Sequence, residues 1–432
     1  MGCKIRTPEG RTLMTIVEKI LARASGQKKV SPGEYVTARI DMALMNEMIR
    51  LIQPVLSKAG IRQETFRLWD PERLVVGIDH RVPPTEVPFA DHQKRSREFA
   101  KKLGIKYFYD VAGGVAHQFM VEKGHVRPGE LIVGTDSHTT TYGALNAAGT
   151  GIGASEMTYV IHMGELWFMV PETLLFEING TLPDLVYSKD IVLYIAGKYT
   201  TEVAQYKAIE WKGPVIDAMS IDGRLAMGNM SVELGAKFGL FRADKKVIDY
   251  VKARTNKPFT PVEPDPDAQY AQTYRIDGSH IEPQVALPHS VGNVKKASEV
   301  KSIRIDQAVI ASCTNGRMED LEIAAKILKG KKVHPDVRFY VAPPSWEVYK
   351  EAMDKGVLST LLDSGAMIGN ASCGFCTGYQ GVLSKGERCI AATPRNFKGR
   401  MGSPEAEIYL ASAATVAASA LKGEICDPRE VL

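Results

Sequence analysis

Apolar residues recur along this chain in short runs of strand length, each closed by a turn containing Gly or Asp and followed by a stretch with helical spacing. RLVVGIDH, ELIVGTDSH, IDQAVIASCTN and VRFYVAPPS are runs of this kind. Continuous apolar runs mark strands covered on both faces, so their alternation with helices predicts β/α units around parallel sheets. TIVEKILARA, from Thr15 to Ala24, has helical spacing, whereas the residues before it have no periodicity, and Met14 stands as a second candidate start. MEDLEIAAKIL and the closing AEIYLASAATVAASALKG predict helices. The stretch from about Thr255 to Lys296 is rich in Pro, Asp and His and predicts a connector. The coarse division is 1–190, 191–298 and 299–432.

Composition supports a globular chain: of 432 residues, 44% are hydrophobic and 24% charged, which excludes disorder, collagen and coiled coil. No 18 apolar residues run together, so no membrane span is expected. The opening MGCKIRTPEGRTLM lacks the apolar core of a signal peptide, and Arg6 stands where a myristoylation pattern wants Ser or Thr. The expectation is a cytoplasmic protein. A net charge of +4 with both signs spread along the chain offers no single-sign field for nucleic acid or membrane, which leaves small or anionic ligands as expected partners.

Six cysteines are too sparse for a disulfide framework. Five of them follow residue 312. Cys313 lies between the strand run QAVIAS and a helical pattern, where a helix N-terminus favours a thiolate. Cys373 and Cys376 form C-G-F-C in a turn of small residues. Three thiolates need a fourth ligand, from Cys389, Cys426 or a His, to close a zinc site. A 4Fe-4S cluster on three cysteines leaves one iron open. The spacing alone also allows an isolated redox pair beside a buried Cys313. Three histidines stand near carboxylates or in loops: His80 beside Asp79 in GIDH, His138 two residues from Asp136 in GTDSH, and His117 in GGVAHQ. A carboxylate beside an imidazole fixes its tautomer and raises its basicity. His92, His125, His162, His280, His289 and His334 carry no comparable signal. In TPRNFKGRMGS, Arg395 and Arg400 are a pair suited to clamp carboxylates.

GIDH, GGVAHQ, GTDSHTTTYGALNAAGTGIG, LAMGNMSVELGAKFG, ASCTNGRMEDL, CGFC and RNFKGRMGSPEAEIYLASAATVAASA together resemble the aconitase superfamily. Within it they are most similar to the large subunits of the two-subunit 3-isopropylmalate dehydratases of bacteria and archaea, from about Thr15 to the C-terminus. The resemblance implies an α/β fold of three α/β/α domains around a central cleft, the first and third alike in topology, without the fourth swivelling domain of one-chain aconitases. It implies a 4Fe-4S cluster on Cys313, Cys373 and Cys376, with the open iron as Lewis acid. Asp79 with His80 matches the pair that protonates the departing hydroxyl. His117 with Asp136 and His138 with Glu233 match two further pairs, with Ser137 in the same motif. Asn229 matches a residue beside the cluster and substrate, and Arg395 and Arg400 match arginines that contact substrate and support the site. The implied activity is a hydro-lyase that dehydrates and rehydrates a 2-hydroxy di- or tricarboxylic acid. A homoaconitase or 2,3-dimethylmalate dehydratase type is the alternative. The implied partner is a small swivel-domain subunit that supplies a base serine and a further arginine, since this chain ends directly after the third-domain helix.

Several positions depart from that family. Asn46 and Glu47 stand where the isopropylmalate type has His-Asp, and Ile49 replaces a usual Thr. Pro394 replaces an Asn, and Phe375 a common Pro. Asn46 matches a residue that hydrogen-bonds a substrate carboxylate, so the expected substrate is a related branched or modified hydroxy diacid. A non-catalytic, cluster-bearing or RNA-binding relative is the rival class, and it would carry a basic face that +4 does not offer. A zinc hydrolase would show H-E-x-x-H, which is absent.

Overall fold

A computed structural model of the chain describes residues 13–46, 49–60, 66–300 and 302–432. Its first helix, Ile16–Ser25, forms where the periodicity places it. The Glu18 carboxylate accepts from the Thr15 N–H at 2.7 Å, and Gly26 closes the helix in the left-handed region at φ +70°. Ile16, Val17, Ile20 and Leu21 are buried along one face.

The runs ending in GIDH and GTDSH become strands of a five-stranded, all-parallel sheet. Its order is Tyr107–Tyr109, Leu74–Gly77, Met42–Met45, Leu131–Gly134, Ala148–Gly151. From the central Met42–Met45 the chain winds outward on one side, returns, and winds outward on the other. Such a reversal opens a crevice beyond the carboxyl ends of the strands. Asn46, Asp79, His80 and Asp136 follow the carboxyl ends of three of these strands.

The third sheet repeats this plan. Around the central Gln307–Ile310, Arg338–Val341 and Met367–Ile368 lie on one side, and Arg388–Ala391 and Glu407–Ala411 on the other, all parallel. The first and third sheets thus share one topology. The third also carries an antiparallel extension, Gln284–Ala286 and Val294–Lys296, beside Glu407–Ala411. Between them lies a four-stranded parallel sheet in the order Phe238–Phe241, Ala208–Lys212, Thr173–Asn179, Gln272–Asp277. Helix Ile221–Met230 packs closely on the 3-10 run Ser137–Leu145, and on that run Gly143 is needed where it meets strand Phe238–Phe241, because a Cβ there would overlap the Gly239 carbonyl oxygen.

Three expectations need correction. The sheets do not follow divisions at 190 and 298: Thr173–Asn179 already belongs to the second sheet, and Gln284–Lys296 reaches forward into the third. The Pro- and Asp-rich stretch is not only a connector, since Gln272–Asp277 pairs in parallel with Thr173–Asn179 along its full length. The first part of the expected closing helix is the strand Glu407–Ala411, followed by the helix Ala413–Lys422. A fully apolar run reads alike as buried strand or buried helix, and pairing with Arg388–Ala391 decides it. Among the described residues, no helix is long and apolar enough to cross a membrane.

Candidate active site

The carboxyl ends of the first and third sheets face one another across a cleft of about 280 Å³. Of the residues singled out from the sequence, Asn46, Asp79, His80, His117, Asp136, Ser137, His138, Cys313, Cys373, Cys376, Arg395 and Arg400 all line it. Glu47 lies outside the described residues.

The thiol wall is built from two loops. Cys313 follows the central strand of the third sheet through Ser312, which holds φ at +126°, and precedes helix Met318–Leu328. Arg317 is 1% exposed, and its guanidinium donates to the carbonyl oxygens of Cys313 at 2.8 Å and Thr314 at 2.7 Å and to Gln118 Oε1 at 2.8 Å. The second loop follows Met367–Ile368 and brings in Cys373 and Cys376. Arg400 donates to the Cys376 carbonyl at 3.0 Å and to its Sγ at 3.4 Å. All three thiols are buried and pack together with Val115. Hydrogen bonding from Cys373 holds Cys313 well below the usual thiol range, against burial, with His138 and His117 assisting. The same thiol, with Arg400, brings Cys376 down to about 6, again against burial. Cys373, between two thiolates, is held well above its ordinary value.

Cys389 and Cys426 are not on this wall, and burial pushes both up to about 12, as inert core thiols. Among the described residues, no fourth cysteine for a closed zinc site therefore lines the cleft. Among the described residues, no group of three or more His, Cys, Asp or Glu is set to hold a single metal ion. Three thiols on one wall, two of them biased to thiolate, with open cleft before them, fit an inorganic cluster with one exposed corner.

The imidazole wall lies opposite. His80 Nδ1 is 2.7 Å from Asp79 Oδ1, and Asp79 Oδ2 accepts the Ala116 N–H at 2.9 Å. Asp136 Oδ1 accepts from His117 Nε2 at 3.0 Å and from the His138 backbone N–H at 2.8 Å, while its Oδ2 stands 3.8 Å from His80 Nε2. His138 Nε2 meets Glu233 Oε1 at 3.0 Å, and the same oxygen accepts from Arg395 Nε at 2.7 Å. The three imidazole–carboxylate pairs are thus formed, and Asp136 joins all three histidines. Burial opposes charge on His138, but Cys313, Asp136 and Glu233 outweigh it and push the imidazole up to about 10. Burial likewise raises Asp136 and Glu233, yet their histidine partners, with Arg395 at Glu233, hold both low.

Two residues singled out from the sequence are not on the wall. Glu233 stands behind His138 and Arg395 as their shared acceptor. Asn229 is fully buried, with its amide between Thr141 and Thr314, donating to Thr141 Oγ1 at 2.9 Å and accepting from Thr314 Oγ1 at 2.6 Å. It braces the Cys313 loop from behind and is not among the residues that line the cleft. The structure also adds residues that the motifs did not single out. Arg81 has its guanidinium carbon 3.4 Å from the centre of the Phe89 ring and 4.2 Å from that of Tyr379, and it bonds the Tyr379 hydroxyl at 2.6 Å. Its place directly after GIDH was the signal available. His92, read as a histidine without a role, lines the cleft as well.

The sequence pattern of the aconitase family (aconitate hydratase) matches residues 59–302 and 289–423. The 3-isopropylmalate dehydratase large subunit 1 of Methanopyrus kandleri is 50% identical over 419 residues, covering 97% of this chain and 99% of the relative. The probable methanogen homoaconitase large subunit of Methanothermobacter thermautotrophicus is 44% identical, covering 96% and 98%. Among solved structures, Thermococcus kodakaraensis aconitase X (holo-form) is similar with a TM-score of 0.48 at 10% identity, over 85% of this chain and 89% of that one. With a family match over most of its length and relatives of this identity along nearly all of it, the chain belongs to the aconitase family, whose dehydratases are hydro-lyases.

Proposed function

We propose that this chain is the cluster-bearing large subunit of a hydro-lyase that removes and restores water on a 2-hydroxy dicarboxylic acid of the 3-isopropylmalate kind. The observation that carries the reading is the meeting, in one cleft, of three thiols, two arginines and three imidazoles, each bonded to a carboxylate in the wall or, for His138, to Glu233 behind it. Cys313, Cys373 and Cys376 would hold a 4Fe-4S cluster. When bound, that cluster supplies a Lewis acid to the substrate's hydroxyl and carboxylate.

The chain's own residues then have separable tasks. Asp79 is an acceptor, so it holds the Nδ1–H of His80, and in the imidazolium form the Nε2–H is the proton His80 delivers into the cleft, leaving a neutral imidazole still bonded to Asp79. The departing hydroxyl is the group that needs that proton. Glu233 holds Arg395 and His138 together, which aims a guanidinium and an imidazolium at an anionic substrate. Arg400 performs the same service while anchored to Cys376. The carbon-bound proton leaves to a base on a separate small subunit, a partner that the name "large subunit" carried by the relatives supports.

A related branched or modified hydroxy diacid is the second reading, and Asn46 favours it. Its side-chain oxygen accepts from Thr135 Oγ1 at 2.9 Å, so a short neutral amide turned toward the first sheet occupies a cleft position where the family's imidazole would reach further. Anaerobic co-expression with the small subunit, followed by iron and sulfide analysis and a screen of 2- and 3-substituted malates and maleates, tests both readings. Stoichiometric zinc without sulfide would overturn the cluster. Robust turnover by the loaded chain alone would overturn the partner.

A further inference from the structure

Lys189 is the second residue of helix Ser188–Tyr199 and is 1% exposed. Its ammonium donates to the Thr393 carbonyl at 2.6 Å and reaches Asn315 Oδ1 at 3.4 Å. Both acceptors are neutral, and no ion pair joins Lys189 to a carboxylate among the described residues. The adjacent Asp190 is committed elsewhere, to the backbone N–H groups of Tyr187 at 2.9 Å and Gln284 at 2.8 Å. Asp320, the carboxylate that acts most strongly on Lys189, is taken up by Asn315, Gly316 and Arg317. The first turn of a helix is also the wrong end for a cation, because the unpaired N–H groups there are partly positive.

A buried charge so placed is costly without a counter-charge. Burial pulls its ammonium down to about 7, opposed by Asp320, Cys376, Asp190 and Cys313. Two of those four are cysteines of the thiol wall. The two groups that Lys189 touches sit two residues after Cys313 and two residues before Arg395. It therefore ties the cysteine loop to the arginine turn from behind.

We propose that Lys189 is a positioning residue whose buried positive charge balances the negative charge of the cysteine-held cluster and raises its reduction potential, while its hydrogen bonds hold the Cys313 loop against the Thr393–Arg395 turn. A nearby cation stabilises the more reduced, more negative state of a cluster in a low-dielectric site. The proposal rests on the reading of the three cysteines as cluster ligands.

The test compares anaerobically purified wild-type complex with Lys189→Met, Lys189→Gln and Lys189→Arg complexes, by iron and sulfide content, thermal unfolding and an EPR-monitored redox titration. Loaded Met and Gln variants are expected to show midpoints shifted to more negative potential, with the Arg variant close to wild type. If the Met variant does not fold, the Gln variant, which keeps a donor for the Thr393 carbonyl, isolates the loss of charge. Fully loaded neutral variants with the wild-type midpoint would overturn the proposal, as would an Arg variant shifted as far as Met. Wild type without iron or sulfide fails the cluster reading instead, so the two failures are distinguishable.

Discussion

The backbone N–H of Cys373 donates to the carbonyl oxygen of Asp79 at 2.8 Å. A thiol loop of the third sheet and an acid–imidazole loop of the first are thereby held in register across the cleft. With Asp79 Oδ2 receiving the Ala116 N–H, the residue is fixed from three sides: backbone to Cys373, one oxygen to Ala116, the other to His80. Preorganisation of this kind spares the site reorganisation at the moment of reaction.

Serine at Cys313, Cys373 or Cys376 removes a thiolate from the wall. Each variant should lose cluster iron and the brown absorbance that accompanies it, and activity should fall to background. Serine at Cys389 or Cys426 should leave iron and sulfide per chain unchanged, since both thiols are buried away from the cleft. Iron loss in the second pair equal to that in the first set would refute the assignment.

His80→Asn removes the proton donor while keeping the size and part of the hydrogen bonding of the ring. Turnover should fall by about 10² to 10⁴, the usual worth of a positioned general acid. Iron content should stay at the wild-type value, because His80 is paired with Asp79 and is not one of the three cysteines read as cluster ligands. A fall in iron that tracks the fall in rate would assign His80 a structural role.

Glu210 gives a pH dependence away from the cleft. Burial pushes its carboxyl up to about 7, against hydrogen bonds from Tyr270 and Ile16. A pKa raised above the unfolded value contributes stability that is full below about 4.5 and lost as pH rises through about 7. Glu210→Gln mimics the protonated form, with its oxygen available to Ile16 and its amide to Tyr270. Urea midpoints at pH 5 and 7.5 should therefore differ less in the variant, by up to about 3 kcal/mol of unfolding free energy at 1.36 kcal/mol per pKa unit. Equal pH slopes in the two proteins would remove Glu210 from the account.

Asn46→His with Glu47→Asp restores the residues of the isopropylmalate type. Activity on 3-isopropylmalate should rise and that on the native substrate fall, by roughly ten- to a hundredfold for a charge-assisted contact of about 1.5 to 3 kcal/mol. Wild-type complex that already turns over 3-isopropylmalate at about 10⁴ per molar per second or better would retire the altered-substrate reading.

Much of the catalytic wall was legible in one dimension because its parts are local. Asp79 with His80, Asp136 with His138, and Cys373 with Cys376 are neighbours in the chain, each just beyond an apolar run. The apolar runs also announced parallel β/α units, whose strand ends put such residues on one edge. The partnership of His138 with Glu233 spans 95 positions and came from resemblance, not from spacing. Apolar patterning records that a segment is covered, and says nothing of what covers it. For that reason AEIYLA read as helix until Arg388–Ala391 lay beside it, and the closing of Thr314 over Asn229 had no signal in the pattern. Arg317 and Lys189 are the sharpest cases: in sequence they are two of 54 basic residues, ordinary members of a solvated surface. Only the folding of three sheets onto one cleft buries them, and burial turns an unremarkable cation into one that must find its acceptors and its counter-charge inside the protein.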